Sequence, residues 1–211
     1  METDYFDKNA AQWDSSDRQL QAHAVYARMR EVMRPDGAGA VLDFGCGTGL
    51  LGFQFAEDFE ALHFADTSEG MLSIVRKKAL EAGIKNYQAF NPADETALST
   101  YRAVVSLLAL HHIEDISALL NQLHTHITQD GYLALADLDP EDGSFHAPMQ
   151  VPHNGIDRNC ILNFMNASGY QILCNETVYT NIRHIDGERK EYPIFLIVGG
   201  RGRWENRTRR I

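Results

Sequence analysis

Short apolar runs alternate along this chain with segments of helical periodicity, and this alternation is the feature that most limits its possible folds. The apolar runs have the length of buried strands, and the segments between them place apolar residues on one helix face. Strands that alternate with helices are joined by right-handed crossovers and lie parallel in one sheet, so an α/β, doubly wound, mostly parallel sheet with helices on both faces is predicted. The predicted strands are residues 40–44, 62–65, 87–90, 103–108 and 132–138, and the predicted helices are residues 50–57, 68–82, 116–127 and 157–168.

The two ends of the chain depart from this alternation. Residues 5–33 are polar with apolar positions at helical spacing, which predicts one or two amphipathic helices before the sheet. Two strand-like runs, 170–183 and 191–198, flank Asp186 and Gly187, a pattern typical of a hairpin. An antiparallel C-terminal hairpin therefore completes a seven-stranded sheet. The expected organisation is an N-terminal helical lid segment at residues 1–37, one domain at residues 38–200 and a basic tail at residues 201–211.

The turn after the first predicted strand carries three glycines, Gly45, Gly47 and Gly49. Ligands of open α/β sheets bind beyond the carboxyl ends of the strands, where glycine lets the backbone turn tightly and approach a ligand closely. Asp66 ends the second predicted strand about twenty residues later, where a carboxylate can accept hydrogen bonds from two ribose hydroxyls. Together these features predict that a ribose-bearing nucleotide lies across this edge of the sheet.

The glycine pattern alone does not identify the nucleotide. Residues 47–52 satisfy the GxGxxG pattern of dinucleotide-binding proteins, so a nicotinamide-dependent oxidoreductase is one alternative. Asp43 argues against it, because a negative charge just before the glycines opposes a pyrophosphate and suits a ligand with an ammonium and a sulfonium. The sequence also has no Tyr-x-x-x-Lys pair of the kind found in short-chain reductases.

At residues 43–49 the sequence Asp-Phe-Gly-Cys-Gly-Thr-Gly resembles motif I of the class I S-adenosylmethionine-dependent methyltransferases. Leu-His-His at residues 110–112 resembles the small-molecule branch of that family, which includes the ubiquinone and menaquinone methyltransferases. Tyr5–Phe6 with Trp13–Asp14, and the last strand at 191–197, resemble the same branch. The resemblance covers roughly residues 5–200. It implies a Rossmann-like fold, S-adenosylmethionine as cofactor and a small-molecule methyl acceptor.

The family pattern also implies which residues bind the cofactor. The methionine part is expected over the glycine turn with Asp43 organising it, the ribose on Asp66 and the adenine near Met71. The acidic residue that usually meets the adenine edge is missing from its usual place, and Asn91 and Asp94 are both candidates. The complete expected set is Asp43, Gly45, Cys46, Gly47, Thr48, Gly49, Asp66, Thr67, Met71, Asn91, Asp94 and Leu107.

The candidate catalytic residues are His111 and His112, which follow the fourth predicted strand. Methyl transfer needs a general base only when the acceptor must lose a proton, and histidine can serve. A structural role, in which the two rings bond to backbone or cap the next helix, is the alternative. His146 and His153 lie in a predicted loop, residues 139–156, where acceptor-specific elements are expected. No metal site is predicted, because no familiar carboxylate–histidine spacing accompanies these histidines.

Composition limits the partners and the compartment. A formal net charge of −10 disfavours nucleic acid as a partner. Three cysteines without a CxxC pair fit a reducing compartment. No signal peptide or membrane-spanning run is recognised, so a cytoplasmic protein without a membrane partner is expected. A non-catalytic cofactor-binding subunit or sensor of the same fold is the other alternative, since the acidic residue after the third strand is missing.

Overall fold

The computed structural model describes residues 2–94, 98–185 and 187–202, and its centre is a single sheet. Its seven strands are β1 Ala40–Phe44, β2 Ala61–Ala65, β3 Tyr87–Phe90, β4 Tyr101–Leu107, β5 Ile127–Leu138, β6 Tyr170–Ile185 and β7 Glu188–Arg201. The strand order is β3-β2-β1-β4-β5-β7-β6. The first five strands are parallel, and β7 runs antiparallel to both β5 and β6. The predicted fold class is therefore confirmed.

The helices begin at polar caps, as the sequence pattern predicts. Ser68 caps the helix after β2, where its hydroxyl accepts a hydrogen bond of 3.1 Å from the Met71 amide. The α-helices are α1 Glu2–Asn9, α2 Ser16–Met33, α3 Glu69–Glu81, α4 Ile116–Thr125 and α5 Arg158–Ala167. Within the described ranges, no helix is both long enough and apolar enough to cross a membrane.

The core divides into two apolar clusters because neighbouring residues of a strand point to opposite faces of the sheet. Val41 and Val105 belong to one cluster, to which α2 contributes Met29. Leu42 and Val104 belong to the other. The second cluster also contains residues of α4 and α5, namely Leu119, Leu120, Leu123, Ile161 and Met165. Helices thus cover both faces, and the sheet edge that carries the glycine turn is held between them.

The predicted helix at residues 50–57 is wrong. This stretch forms only a short 3₁₀ helix, Gly52–Phe55. The hydrogen bonds show the difference: the Phe53 amide donates to the Gly49 carbonyl four residues back at 3.1 Å, but the amides of Gln54 and Ala56 donate to carbonyls three residues back, at 3.1 and 3.3 Å. One α-type bond is thus followed by the tighter 3₁₀ pattern.

Two predicted boundaries are also wrong. Ile127 continues the apolar stripe of α4 but is the first residue of β5, where it pairs with Tyr101. Both arrangements bury its side chain, so periodicity does not separate them. Arg201, assigned to the basic tail, is the last residue of β7, and its guanidinium donates to the His124 carbonyl at 3.0 Å. Residues 203–211 of the predicted tail, and Asp186 of the predicted hairpin turn, lie outside the described residues.

Candidate cofactor and active site

The carboxyl ends of the parallel strands meet at one edge of the sheet. Ala65 at the end of β2 pairs with Phe44 of β1 and with Phe90 of β3. Its carbonyl accepts hydrogen bonds from the amides of Gly45 and Cys46, at 2.8 and 3.1 Å. The glycine turn is thereby fixed across the tops of β1 and β2, where open α/β sheets bind their ligands.

Asp66 joins the glycine turn to the start of α3. One carboxylate oxygen accepts a hydrogen bond from the Gly47 amide at 2.8 Å, and the other accepts one from the Ser68 amide at 2.9 Å. Burial raises the pKa of this carboxyl, while these backbone donors oppose the rise. Each oxygen retains a further lone pair, so the group can accept two hydroxyls as well. The structure thus brings together the glycines and the acid that the sequence pairs.

Asp43 lies beneath the glycine turn and does not face outward. Its side chain is 2% exposed, and one oxygen accepts a hydrogen bond from the Gly52 amide at 2.9 Å. Burial, with a smaller contribution from the charge of Asp66, raises the pKa of Asp43 to about 7. Asp43 thus bonds to the turn from below and holds it in shape, and its expected role beside the cofactor stays a prediction.

This buried carboxyl gives the stability a definite pH dependence. The folded-state pKa of Asp43 lies above the unfolded value, so the neutral acid favours folding and this contribution is lost as pH rises from about 4 through about 7. Relative to Asp43→Asn, the free energy of unfolding of the wild type should fall by on the order of 4 kcal/mol across that interval, at about 1.4 kcal/mol per pKa unit. Urea unfolding at several pH values measures the difference. For the exposed control Asp17→Asn, the free energy of unfolding should change with pH as it does in the wild type. The same pH dependence in Asp43→Asn would contradict the raised pKa of Asp43.

The remaining cofactor candidates lie at this same edge with different exposure. Cys46 and Thr48 are buried within the turn, and burial raises the pKa of the Cys46 thiol well above its usual value, which makes it a poor nucleophile. Met71 is buried in the first turn of α3, whereas Thr67 is exposed and Leu107 ends β4 half-buried. Asn91 and Asp94, the two adenine-edge candidates, are exposed in a turn directly after β3.

The N-terminal segment closes over the glycine turn through polar contacts. Asp14 accepts a hydrogen bond from the Thr48 hydroxyl at 2.5 Å and pairs with Lys78 at 2.6 Å. Asp7, which precedes Asp14 in the chain, accepts hydrogen bonds from the Ser68 hydroxyl at 2.5 Å and from the Gly70 amide at 2.9 Å. These acids were not among the predicted site residues.

Aromatic rings extend this cover toward the end of β4. Phe6 packs edge-on against Trp13 and against His112, with ring centroids 5.5 and 5.4 Å apart. A β-carbon placed on Gly47 would meet only the Trp13 indole nitrogen, at 3.7 Å, among atoms within 4 Å. The N-terminal segment thus packs directly against this glycine, which has no side chain of its own on that side.

His111 is held by a buried carboxylate. Its Nδ1 lies 2.6 Å from Oδ1 of Asp137 at the end of β5, and the two side chains are 1% and 0% exposed. Asp137 also accepts hydrogen bonds from the amides of Leu110 and Leu138, at 2.8 and 2.7 Å. These donors fix the carboxylate, which in turn fixes the tautomer and orientation of the imidazole.

Two more imidazoles complete a histidine cluster, defined as His111, His112 and His146. The Nε2 atoms of His111 and His146 are 2.9 Å apart. The His112 ring centroid lies 4.1 Å from that of His111 and 5.2 Å from that of His146. Burial, then the charges of the other two histidines, lowers the pKa of His146 to about 3, so its ring is neutral at neutral pH. His153 does not join this cluster; its Nε2 bonds to the Ile113 carbonyl at 2.9 Å.

The glycine turn is in direct contact with the turn at residues 109–112, which is called the histidine turn below. A β-carbon on Gly45 would lie only 2.2 Å from the β-carbon of Ala109, and Gly45 has a φ of +67°. The glycine turn thus lies next to the segment that carries His111 and His112, the predicted catalytic residues. Sequence reasoning did not single out Asp137, although a lone carboxylate near the end of an otherwise apolar strand was a visible signal.

Comparison with known proteins agrees with this geometry. Residues 42–133 match the family model described as a methyltransferase domain. An uncharacterized methyltransferase of Mycobacterium tuberculosis is 33% identical over 119 residues, which cover 56% of this chain and 60% of that protein. A ubiquinone biosynthesis O-methyltransferase of Xanthomonas axonopodis is 28% identical over 139 residues, 63% of this chain and 58% of that protein. The chain thus spans about three fifths of the length of these curated relatives.

The fold agreement extends over nearly the whole chain. The crystal structure of a SAM dependent methyltransferase from Aquifex aeolicus superposes with a TM-score of 0.68 at 15% identity, covering 92% of this chain and 97% of that one. At this identity the likeness concerns the fold, which is the one that the sequence pattern predicts. Residues 42–133, which contain the glycine turn, Asp66, His111 and His112, are thus similar to a methyltransferase domain, and the fold is that of a solved SAM dependent methyltransferase.

Proposed function

We propose that this protein transfers the methyl group of S-adenosylmethionine to a small-molecule acceptor. One observation carries the proposal: the Asp66 carboxylate lies 2.8 Å from the Gly47 amide, so a candidate ribose-binding acid and the glycine turn form a single cradle. The cradle fits the cofactor, because the glycines of the turn let a ligand approach the backbone closely and Asp66 has lone pairs for two ribose hydroxyls. The Aquifex neighbour is described as SAM dependent, which supports the same choice.

A small-molecule acceptor is supported by the net charge of the chain and by a protein of similar sequence. The chain carries a formal net charge of −10, which opposes a polyanionic substrate. One relative is named a ubiquinone biosynthesis O-methyltransferase, so the methyl acceptor of that protein is an oxygen atom. The histidine cluster gives the acceptor side of the site a polar wall, while Phe6 gives it an apolar one.

The protein's own contribution to such a transfer is mainly positional. The cofactor supplies an activated methyl group on a sulfonium and the leaving group. Holding the acceptor in line with that methyl group is worth roughly 7–11 kcal/mol of the barrier. His111 is a poor candidate for a free general base, because both of its ring nitrogens are already engaged and its side chain is 1% exposed. We therefore assign it a positioning role and leave His112, which is half-buried, as the candidate that meets the acceptor.

We assign residues 5–14 the role of a lid. Asp7 and Asp14 attach this segment to α3 and to the glycine turn, and Phe6 reaches His112. A closed lid excludes water from a reaction in which water is a competing nucleophile. Bound S-adenosylhomocysteine should therefore slow amide hydrogen exchange over residues 5–14. Unchanged exchange at saturating ligand would count against the lid.

Calorimetry separates the candidate ligands. S-adenosylmethionine and S-adenosylhomocysteine should each bind in a one-to-one ratio, and NAD should give no heat. Binding of NAD alone would instead support the oxidoreductase alternative. Release of S-adenosylhomocysteine from a mixture of small hydroxylated metabolites would then distinguish an enzyme from a binding subunit or sensor.

Removing the ribose acid should weaken cofactor binding. Asp66→Ala should reduce the affinity for S-adenosylhomocysteine by about 1–3 kcal/mol, because hydrogen bonds to a charged acceptor are lost. The exposed acid Glu69, three residues further along, provides a control in Glu69→Ala, whose affinity should stay at the wild-type value. Titration calorimetry on both variants gives the comparison. Equal affinities for Asp66→Ala and Glu69→Ala would show that the ribose lies elsewhere.

A further inference from the structure

The histidine cluster has the geometry of a metal site. We propose that His111, His112 and His146 bind one divalent transition-metal ion of the zinc type, with Asp137 as the residue that orients His111. The candidate ligand nitrogens of the three rings all lie within 4.8 Å of one another. A zinc ion with Zn–N bonds of about 2.0–2.1 Å requires tetrahedral nitrogens roughly 3.4 Å apart.

The arrangement of His111 is the strongest element of this proposal. Its Nδ1 faces Asp137 at 2.6 Å, which leaves Nε2 to point toward His146, 2.9 Å away. Metal-bound histidines very often present their second ring nitrogen to a carboxylate, which fixes the tautomer and raises the basicity of the ligand. Asp137 is itself fixed by the Leu110 and Leu138 amides, so the pair is preorganised.

The other two candidate ligands are less enclosed than His111. His112 and His146 are half-buried, and each packs edge-on against a phenylalanine, Phe6 at 5.4 Å and Phe145 at 4.8 Å between ring centroids. Metal binding would bring the ligand nitrogens from within 4.8 Å to about 3.4 Å of one another, so the proposal includes a movement of these two rings.

Three histidines leave a fourth coordination position open. Zinc sites with three protein ligands keep that position for water or substrate, and they are the catalytic rather than the structural kind. The histidine turn touches the glycine turn at Ala109, and we therefore assign that position to the side of the proposed cofactor cradle. An oxygen of the acceptor is the chemical class of ligand that fits it. This last step, unlike the metal binding itself, rests on the proposed function.

Metal binding can be measured without any methyl donor. Tag-free protein stripped with a chelator is titrated with Zn²⁺ against a chromophoric competitor, and with Co²⁺ as a spectroscopic substitute. We expect one equivalent of Zn²⁺ per chain, visible Co²⁺ absorption typical of a four-coordinate nitrogen site, and a raised Tm with Zn²⁺. Absence of stoichiometric binding by the folded chain would overturn the proposal.

Matched variants locate the ion. His146→Ala should weaken Zn²⁺ binding by about 100-fold or more, since a direct ligand exceeds the 10–100-fold effect of a supporting residue. His153→Ala, in the same loop but bonded to the Ile113 carbonyl, should bind like the wild type. Equal Zn²⁺ affinities of His146→Ala and His153→Ala would overturn the assignment of His146 as a ligand. Calorimetry with S-adenosylhomocysteine on the same samples reports on the proposed function separately, so the two ideas can fail independently.

Discussion

Asp137→Ala should lower the free energy of unfolding by about 3–5 kcal/mol, the range expected when one partner of a buried charge-assisted pair is removed. Asp137 is fully buried and accepts three hydrogen bonds: from the His111 ring and from the Leu110 and Leu138 amides. Alanine leaves these buried donors without a partner, and each such group costs about 1–3 kcal/mol. Urea unfolding followed by circular dichroism measures the loss.

Two comparisons make this experiment specific. Asp142→Ala also removes a carboxylate, but Asp142 is exposed and pairs with Lys190 on the surface, so its loss of stability should be far smaller than that of Asp137→Ala. Asp137→Asn keeps an acceptor oxygen and should retain part of the lost stability. A change below about 1 kcal/mol in Asp137→Ala would mean that the His111–Asp137 pair does not hold the end of β4 against β5.

Gly45→Ala should destabilise the protein by about 2–5 kcal/mol, because strain and overpacking add at this position. Gly45 has a φ of +67°, where a side chain strains the backbone, and its new β-carbon would lie 2.2 Å from the Ala109 β-carbon. The glycine turn must then move away from the histidine turn. We also expect affinity for S-adenosylhomocysteine to fall at least about tenfold, since a misplaced cradle loses more than 1.4 kcal/mol of binding free energy.

Gly83→Ala separates the two causes. Gly83 has the same φ of +67° but nothing within 4 Å of an added β-carbon. It should therefore show only the backbone strain, about 1–2 kcal/mol, with unchanged ligand affinity. The difference between the losses in free energy of unfolding of Gly45→Ala and Gly83→Ala therefore measures the cost of overpacking where the two turns touch. Equal losses of stability would show that the turns do not pack as closely as the structure indicates.

Much of the site could be predicted because its residues are close together in sequence. The glycine turn follows β1 directly, and Asp66 follows β2 directly, so strand ends alone place them at one edge of the sheet. The sequence pattern also predicted that His111 and His112 follow β4. It could not predict that Asp43 turns inward, since a carboxylate at a strand end can face either the ligand or the loop, and the choice depends on the Gly52 amide.

Contacts between distant segments were not predictable in the same way. Asp137 is 26 residues from His111, and His146 is 35 residues from it. Pattern-based reasoning placed His146 in a loop and predicted no metal site, because metal motifs are recognised by short, fixed spacings. The cover formed by Asp7 and Asp14 was missed for the same reason, as its partners lie in α3 and the glycine turn.

The sequence by itself determined the sheet, its largely parallel order, the closing hairpin and the pairing of glycines with Asp66, because periodicity and strand-end chemistry are local properties. Only the tertiary structure decided how each polar group is used. The parallel strands bring the ends of β4 and β5 together, and a buried carboxylate there must find donors or pay a large desolvation cost. That requirement joins Asp137 to His111, whose other ring nitrogen lies beside His146, although no local pattern connects these three residues.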